Sequence, residues 1–465
     1  MSLRRAVDEA AAALDQATRE RPANAFASAS LPHQFDPRTL LRSPVTTGVV
    51  ASYERPDQAF ALVGVGEAAR VDLAIGETPT AARGRANALL AGSARDRGDA
   101  HAPLRPRLMG GFRFAPEQTP GEPWQRFGAG SLVLPRMLFV LQDGEAGVVL
   151  APGVSADEAL TLIERSLEKG LAEGAASVLH GPLRQARPID EPAWLESVRV
   201  IADEIRQGAY EKAVLATSIE LEADADLPLG ATLAHLRTDY PDCHVVSFRA
   251  GDSTIVCASP ELLVNLQAGR ARTVGLAASQ RRGRTAAEDL ALGRELLTDE
   301  KSRGEHEVVV REIEERLAGA VCQLEIDAEP SVRRFRNIQH LATGISGPTC
   351  DGVDVLELVE RLHPTPAVCG RPSDVARRVI AEHESFDRGW YAGPIGWLDA
   401  NGEGEFAVAL RTALMRGPRA WLFAGNGIMA GSDPEAELEE VSLKLRPLAE
   451  ALQGRVPSET RAIPA

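Results

Sequence analysis

A block of strands separated by short turns is the feature that most constrains the fold of this chain. After residue 210, five segments carry the apolar and β-branched pattern of strands, with turn signals such as Ala250-Gly251-Asp252 and Ala268-Gly269-Arg270 between them. These segments are KAVLATSIELEA, HVVSFRA, STIVCAS, ELLVNLQ and ARTVGLA. Because strands and helices come in blocks rather than in strict alternation, we predict an α+β fold with antiparallel sheets flanked by helices.

Further elements are predicted on either side of this block. Residues 48–66 are typical of a hairpin that turns at Arg55-Pro56-Asp57, and residues 131–151 of two strands around Asp143-Gly144. Apolar periodicity predicts helices near the N-terminus and over three later segments, residues 156–170, 190–207 and 299–320.

Patterning is weaker in the first part of the chain than in the second. We expect residues 1–185 to form an N-terminal half of the fold and residues 190–450 a better patterned C-terminal half. Residues 455–465 are predicted to be a frayed tail.

Charge and hydropathy exclude several classes of partner. The 465 residues carry a net charge of −15 at pH 7, which argues against nucleic acid and anionic membrane surfaces. No run of about 18 apolar residues is present, so no membrane span is predicted. The opening sequence MSLRRAVDEAAAALDQATRE lacks the apolar region of a secretory signal and is interpreted as an amphipathic helix. We expect a cytoplasmic protein that is a monomer or a weak oligomer.

The cysteines point to the same compartment. They are odd in number, scattered and without CxxC spacing: Cys243, Cys257, Cys322, Cys350 and Cys369. This pattern predicts free thiols in a reducing environment and no structural zinc site.

The segment from Gly404 to Leu445 carries the clearest ligand signal. It is interpreted as a strand carrying Arg411, a tight turn, a second strand ending in Gly425-Asn426-Gly427, and an acidic helix. On that helix Glu437, Glu440 and Lys444 share one face, because their spacings are three and four residues. An arginine, open backbone N–H groups, carboxylates and a lysine would suit a small anion held through a divalent cation.

Other candidates are weaker when they are taken singly. Lys212 begins a strand and is a candidate base, although a lysine at a strand end is more often solvated. Glu261 follows Pro260 at a turn and is a candidate acid, although a carboxylate at a turn is more often a surface residue. Glu305 lies in a charged helix, where it is either a ligand of a hard cation or part of a solvated face.

Two more residues have a structural and a functional interpretation. His340 is a single histidine in an apolar context, and such residues more often pack than catalyse. Arg411 would be costly inside the alternating strand FAVALRTAL unless it binds an anion, so it is a candidate carboxylate ligand.

Taken in order, these segments resemble the chorismate-utilising enzyme family, which includes isochorismate, salicylate, anthranilate and aminodeoxychorismate synthases. The resemblance covers about residues 190–450. It rests on EKAVLA, ASPELL, KSRGEHEVVV, QHLATGISG, LHPTPAVCG, ESFDRGWYAGPIGW, FAVALRTAL and AGNGIMAGSDPEAELEEVSLK. It implies one large unit of two packed antiparallel sheets with helices outside.

The resemblance also implies a role for each candidate. Lys212 would activate water for attack at C2 of chorismate, and Glu261 would protonate the departing C4 hydroxyl. Glu305 and Glu440, supported by Glu437, would hold Mg²⁺.

The substrate would be held by a further group of residues. Arg411 and Tyr391 would bind the enolpyruvyl carboxylate, and Lys444 with the backbone of Gly425 and Gly427 would contact the carboxylate region. His340 would line the pocket.

Fewer residues bear on the reaction within the family. The segment LHPTPAVCG, with Ala367, looks like the isochorismate synthase version, and Ala277 replaces the nucleophilic lysine of aminodeoxychorismate synthases. The family commonly has Ala-Gly-Thr where this chain has Ala277-Ala278-Ser279, and Gln280 replaces the usual arginine. Ser279 keeps a hydroxyl for the substrate, whereas Ala278 adds a methyl group that could disturb the backbone.

The resulting hypothesis is an isochorismate synthase, which isomerises chorismate with Mg²⁺. A salicylate synthase with pyruvate-lyase activity is the alternative, followed by an anthranilate synthase component. A non-catalytic chorismate-binding protein is the alternative from another class. The product could feed menaquinone, a catecholate siderophore or salicylate, and the sequence does not distinguish these pathways.

Overall fold

The structure, a computed structural model, describes residues 3–19, 22, 25–41, 48–91, 104–172, 183–336 and 338–453. The frayed tail predicted for residues 455–465 lies outside this part of the chain. No helix within it is long and apolar enough to cross a membrane.

The described residues form ten helices and twenty strands. The helices are α1 (Leu3–Arg19), α2 (Arg83–Leu90), α3 (Ala156–Ala172), α4 (Glu191–Arg206), α5 (Leu229–Asp239), α6 (Ala286–Thr298), α7 (Glu300–Leu317), α8 (Val355–Leu362), α9 (Ser373–His383) and α10 (Pro434–Leu452). The strands are β1 (Ala27–Leu31), β2 (Val49–Arg55), β3 (Phe60–Leu73), β4 (Arg107–Phe112), β5 (Gly130–Gln142), β6 (Glu145–Leu150), β7 (Arg184–Arg187), β8 (Lys212–Glu222), β9 (His244–Ala250), β10 (Ser253–Ser259), β11 (Leu262–Gln267), β12 (Arg270–Arg281), β13 (Glu325–Ile326), β14 (Ser331–Arg334), β15 (Ile338–Pro348), β16 (Gly370–Arg371), β17 (Pro394–Asp399), β18 (Gly404–Val408), β19 (Thr412–Arg416) and β20 (Arg419–Ile428).

All the strand pairs are antiparallel, and they make two sheets that share two long strands. The first sheet runs β1-β6-β5-β3-β2-β9-β10-β19-β20-β8, and β7 and β16 pair with opposite ends of β8. The second runs β3-β5-β4-β17-β18-β11-β12-β15, and β13 and β14 extend it beyond β15. The predicted α+β fold with antiparallel sheets is therefore confirmed.

The shared strands pass from one sheet to the other at a bulge. The pairing of β3 with β5 shifts register between Glu67 and Ala69, next to Gly66, whose φ is +65°. Before the bulge β3 pairs with β2, and beyond it β5 pairs with β4. A bulge bends a strand and increases its twist, which lets one strand serve two layers. The chain before residue 190 is thus woven into the same sheets as the chain after it.

Aromatic side chains fill the space between the sheets. Phe248 of β9 stacks on Trp390 with ring centroids 5.0 Å apart, and Phe112 of β4 stacks on Phe406 of β18 at 6.0 Å. The outer face of the first sheet is covered by α1, α3, α4, α5 and α10, and α7 and α8 pack against the second. These helices are the flanking layer that the sequence predicts.

Local sequence explains the predicted helix at residues 190–207. The side chain of Asp190 accepts a hydrogen bond from the backbone N–H of Ala193 at 3.2 Å, and Pro192 lies in the first turn of α4. Trp194, Val198 and Ile201 face the core, as their helical spacing predicts. Helix α5 was not predicted, because Gly230 interrupts its pattern and Pro228 supplies no side-chain cap.

The prediction that all five cysteines are free is wrong for two of them. Cys322 and Cys350 form a disulfide with Cα atoms 5.3 Å apart, while Cys243, Cys257 and Cys369 are buried free thiols. The N–H of Cys322 donates to the carbonyl of Pro348 at 2.9 Å, which aligns the turn after α7 with the end of β15. Such tertiary pairing cannot be read from cysteine spacing.

Glu405 of β18 joins the two sheets through a buried polar cluster. It is 1 % exposed and accepts hydrogen bonds from the Tyr53 hydroxyl at 2.9 Å, Arg55 Nη1 at 2.7 Å and Asn265 Nδ2 at 2.8 Å. Burial alone would raise the pKa of Glu405, but His244, Arg55 and Tyr53 together hold it below its ordinary value. The carboxylate is therefore charged and fully engaged.

Replacing Glu405 by alanine tests this connection between the sheets. Removing one member of a buried charged cluster typically costs about 3 kcal/mol or more, because the partners stay buried without a counter-charge. We expect Glu405→Ala to lower the free energy of unfolding by about that amount in urea denaturation. Glu196→Ala, which removes an exposed ion pair with Arg199, is the control and should cost under about 0.5 kcal/mol. Equal effects of the two changes would contradict the argument.

Candidate active site

Strand pairing between β8 and β20 places Lys212 beside a glycine. The two strands pair from Glu222–Arg419 to Ala213–Ile428, so Gly427 lies diagonally across from Lys212. A Cβ atom on Gly427 would lie 2.7 Å from Lys212 Cε, closer than real Cβ contacts allow. Glycine at this position therefore gives the lysine side chain its space. Lys212 Nζ lies 3.4 Å from Glu305 Oε1 of α7.

Glu261 is a buried carboxyl in the short connection between β10 and β11. It is 8 % exposed, and its Oε1 accepts a hydrogen bond from Thr365 Oγ1 at 3.2 Å. Burial raises the pKa of Glu261 to about 7, although the Thr365 hydrogen bond and the charge of Lys212 act in the opposite direction. The carboxyl therefore keeps its proton to a higher pH than an ordinary glutamate does, and a lysine lies close enough to influence it.

Arg411 lies in a break between two strands. The sequence predicted one strand carrying Arg411, but β18 ends at Val408 and β19 begins at Thr412. Arg411 has φ +47°, a left-handed conformation that ends the strand and is unusual for a side chain of this size. The prediction of a continuous strand is therefore wrong. Arg411 lies between the two strands and does not take part in the in-and-out alternation of their side chains.

The guanidinium of Arg411 has aromatic and sulfur neighbours. It lies 5.7 Å from the ring centroid of Tyr240 and 5.9 Å from that of Phe335, and its Nη1 is 3.4 Å from Cys243 Sγ. Among the described residues, no carboxylate forms an ion pair with it. A half-buried guanidinium without a counter-charge is well suited to bind an anionic ligand.

One edge of β20 lies open next to this break. β19 pairs with β20 only as far as Phe423, whereas β8 continues along it to Ile428. Lys444 of α10 reaches this edge, where its Nζ donates to the carbonyl of Gly425 at 3.0 Å. The backbone beside Asn426 is thereby in contact with Lys444.

The predicted carboxylates of α10 lie at the same end of β20. Lys444 Nζ forms an ion pair with Glu440 Oε1 at 2.8 Å and donates to Asn426 Oδ1 at 2.9 Å. Glu437 accepts hydrogen bonds from Ser432 Oγ at 2.8 Å and Asn426 Nδ2 at 2.9 Å. Burial and the nearby charge of Glu440 raise the pKa of Glu437, although its hydrogen bonds oppose this.

Ser279 of β12 and His340 of β15 are paired across the second sheet. His340 Nδ1 lies 2.9 Å from Ser279 Oγ. Burial lowers the pKa of His340 to about 3, and the charges of Arg411 and Lys444 lower it further. The imidazole is therefore neutral, and both cations lie close to it.

Residues 277–279 form a β-bulge in which an alanine, Ala278, adopts a left-handed conformation. The pairing of β12 with β15 shifts register between Ala277 and Ser279, and Ala278 has φ +54°. This left-handed conformation is the one that glycine adopts without strain, which explains why a glycine is usual there. The buried methyl group of Ala278 packs against Leu296 and Leu341, which offsets part of the strain.

Tyr391 approaches the site from the second sheet. Its ring stacks on Phe423 with centroids 5.6 Å apart, and a Cβ atom on Gly425 would lie 3.1 Å from its hydroxyl. Burial raises the pKa of Tyr391, so the phenol keeps its proton and can donate it to an anion. Ala367 is half-buried in the loop that carries Thr365, and no specific contact distinguishes it.

Three supporting residues were not predicted as site residues. Thr365 binds Glu261, Asn426 binds Glu437 and Lys444, and Arg388 braces the strand that carries Lys212. Arg388 Nη2 donates to the carbonyl of Val214 at 2.7 Å and Nη1 to that of Val368 at 2.8 Å. All three lie within matched motifs, but their roles depend on contacts with other segments.

The candidate donors for a divalent cation are Glu305, Glu437 and Glu440. Across the described residues, no group of three His, Cys, Asp or Glu side chains could hold a metal ion by itself. Mg²⁺ usually takes only one or two protein carboxylates and completes its shell with substrate oxygens and water. Oxygen donors without a histidine cluster fit that chemistry.

Comparison with known proteins identifies the family. Residues 11–453 match the family model described as "Chorismate binding enzyme". The chain belongs to this family of chorismate-binding enzymes. The match extends the likeness well before residue 190, where the quoted motifs begin.

Relatives of this chorismate-binding enzyme include isochorismate synthases. It is 40% identical over 359 residues to "Salicylate biosynthesis isochorismate synthase" of Pseudomonas aeruginosa, covering 75% of each chain. It is 34% identical to "Isochorismate synthase MenF" of Bacillus subtilis, covering 76% of each. The solved structure of MenF, the menaquinone-specific isochorismate synthase from Escherichia coli, aligns with a TM-score of 0.76 and 26% identity over 97% of this chain and 100% of that one. The predictions that the chain is an enzyme and has this fold are confirmed.

The pKa of Glu261 predicts how the stability of this chorismate-binding enzyme depends on pH. The value rises from an ordinary 4.5 to about 7 on folding. The stability from the protonated carboxyl is therefore complete below the unfolded-state pKa and is lost as the pH rises through the folded-state pKa. At about 1.4 kcal/mol for each pKa unit, this loss amounts to about 3 kcal/mol.

Glutamine cannot ionise, so Glu261→Gln should escape this loss. We expect its free energy of unfolding, relative to that of the native chain, to increase by about 3 kcal/mol between pH 4 and pH 8. Denaturation at a series of pH values measures the difference, with Glu439→Gln on the exposed face of α10 as the control. A difference that stays constant with pH would refute the assignment.

Proposed function

We propose that this chain is an isochorismate synthase, which isomerises chorismate to isochorismate with Mg²⁺. The observation that carries the proposal is Glu261, a buried carboxyl with a pKa of about 7 that lies within the electrostatic influence of Lys212. The lysine can serve as the base of the reaction, and a carboxyl with a pKa of about 7 can serve as its acid. The similarity to isochorismate synthases over three quarters of the chain supports the same assignment.

The reaction adds water at C2 of the ring and removes the hydroxyl at C4. Lys212 takes a proton from the attacking water as the C2–O bond forms. Glu261, in its protonated form, gives a proton to the C4 oxygen as the C4–O bond breaks, so that water leaves. One water enters and one departs, so the atoms balance and the product is an isomer. The pKa of Glu261 leaves a large share of it protonated at neutral pH.

The substrate is a dicarboxylate, and the site offers cations and donors for both groups. Arg411 has no carboxylate partner among the described residues, and a Cβ atom on Gly425 would lie 3.1 Å from the Tyr391 hydroxyl. We assign these two to the enolpyruvyl carboxylate. Lys444 and the backbone of Gly425 and Gly427 are assigned to the carboxylate region, with Ser279 and His340 along its border.

Glu305 and Glu440, supported by Glu437, are proposed to hold Mg²⁺. When bound, the cation would supply positive charge for the ring carboxylate of the substrate. Glu305 lies on α7 and Glu437 and Glu440 lie on α10, and lysines form ion pairs with Glu305 and Glu440. Binding of a cation would compensate the negative charge that burial makes costly at Glu437.

Product analysis tests the proposal directly. The purified chain is incubated with chorismate and MgCl₂, and the products are separated by liquid chromatography. Isochorismate as the main product, lost in Lys212→Ala while chorismate binding persists, is the expected result. Salicylate with pyruvate would reassign the chain to the salicylate synthases, and anthranilate formed with ammonia to the amination branch. Chorismate binding without turnover at any Mg²⁺ concentration would favour a non-catalytic protein.

Gly427→Ala tests the position of Lys212. The added methyl group would lie 2.7 Å from Lys212 Cε, the far end of a flexible side chain, so the lysine should move and the fold should not. A displacement of about 1 Å at a catalytic group can cost about 100-fold in rate, so we expect kcat to fall about 10- to 100-fold. Gly431→Ala is the matched control, because no atom lies within 4 Å of its added Cβ.

Thermal unfolding is measured alongside the kinetics of both glycine variants. Unchanged melting temperatures with a loss of kcat in Gly427→Ala alone would support the placement of Lys212. A folded Gly427→Ala variant with the native kcat would contradict it.

A further inference from the structure

Asn426 is a buried amide at the meeting point of β20 and α10. It is 1 % exposed and lies between Gly425 and Gly427. Side chains alternate along a strand, so Asn426 faces α10 while the two glycines face Lys212 and Tyr391. The amide therefore lies directly behind the backbone that borders the proposed substrate site.

The hydrogen-bond partners determine the orientation of this amide. Its Nδ2 donates to the carboxylate Oε2 of Glu437 at 2.9 Å and to the backbone carbonyl of the same residue at 2.7 Å. Its Oδ1 accepts from Lys444 Nζ at 2.9 Å. A carboxylate can only accept and an ammonium can only donate, so only one orientation of the amide satisfies both partners. Asn426 thus binds two of the proposed ligand residues at once.

This arrangement keeps a cation and an anion apart. Lys444 already forms an ion pair with Glu440, and Glu437 is one helical turn before Glu440 on the same face. Without the amide, the ammonium would be free to move towards Glu437, and the carboxylate would lose a donor. Lys444 would then compete with a divalent cation for the same oxygens.

We propose that Asn426 is a positioning residue that fixes Glu437 for the divalent cation and Lys444 for the substrate carboxylate. The inference rests on the proposed function, since it concerns how that site is held. It assigns Asn426 the role of holding Glu437 and Lys444, rather than of binding the substrate itself. Ser432 also donates to Glu437, at 2.8 Å, but it makes no bond to Lys444. The two residues should therefore differ in a defined way when each is removed.

The test compares Asn426→Ala, Asn426→Leu and Ser432→Ala with the native full-length chain. Leucine preserves most of the side-chain volume, so it separates lost hydrogen bonds from a cavity. Mn²⁺, a divalent probe with a paramagnetic signal, is titrated with and without chorismate, and electron paramagnetic resonance reports the free ion. Steady-state kinetics with MgCl₂ give kcat and the KM for chorismate, and thermal unfolding confirms that each variant is folded.

Both Asn426 variants are expected to weaken Mn²⁺ binding about tenfold and to raise the KM for chorismate about fivefold, while kcat at saturation changes less than threefold. Ser432→Ala is expected to weaken Mn²⁺ binding and to leave the KM within twofold. Mn²⁺ affinity and KM both within twofold of the native values, in either folded Asn426 variant, would overturn the proposal. An equal rise of KM in Ser432→Ala would also overturn it.

The outcomes separate this inference from the proposed function. If the native chain does not turn chorismate over, the proposed function fails, and Mn²⁺ titration and calorimetric binding of chorismate still decide the role of Asn426. If the native chain is active and the Asn426 variants behave like it, only the inference fails.

Discussion

The pairing of β8 with β20 is the constraint on which the rest of the site depends. It runs from Glu222–Arg419 to Ala213–Ile428, past the point where β19 ends, so β20 extends beyond its other neighbour. On one edge of this extension lies β8, which carries Lys212, and Lys444 reaches the other edge. A shift of register by one residue would turn Gly427 away from Lys212 and bring the Asn426 side chain into the site. The strand pairing, rather than any single side chain, thus sets the positions of the residues along both edges of β20.

Burial sets the electrostatics that this alignment makes useful. Glu261 has a pKa of about 7 because it is buried, while His340 is held neutral by burial and neighbouring cations. Burial also disfavours the charged form of Glu405, but three hydrogen-bond donors and a histidine offset this effect and keep the carboxylate charged. Carboxyl groups with similar burial therefore differ in protonation because of the donors around them. One is the proposed acid of the reaction, and the other connects the two sheets.

Much of the fold could be predicted because its signals are local. The cap and apolar stripe of α4 and the turn at Asp143-Gly144 each lie within one segment, and each is present as predicted. The break at Arg411 could not be predicted, because a positive φ in a strand-like pattern has no local signature. The candidate site residues were found through their motifs, whereas Thr365 and Asn426 act through contacts between segments that are distant in sequence. The bond between Cys322 and Cys350 was missed for the same reason.

The open edge of β20 has a consequence for the solution behaviour of the chain. An unpaired strand edge is a template on which a strand from another molecule can add, and proteins commonly protect such edges with charged side chains. Lys444 Nζ donates a hydrogen bond to the carbonyl of Gly425, so a strand that added at this edge would have to displace the ammonium. The lysine assigned to ligand binding thereby also guards against self-association.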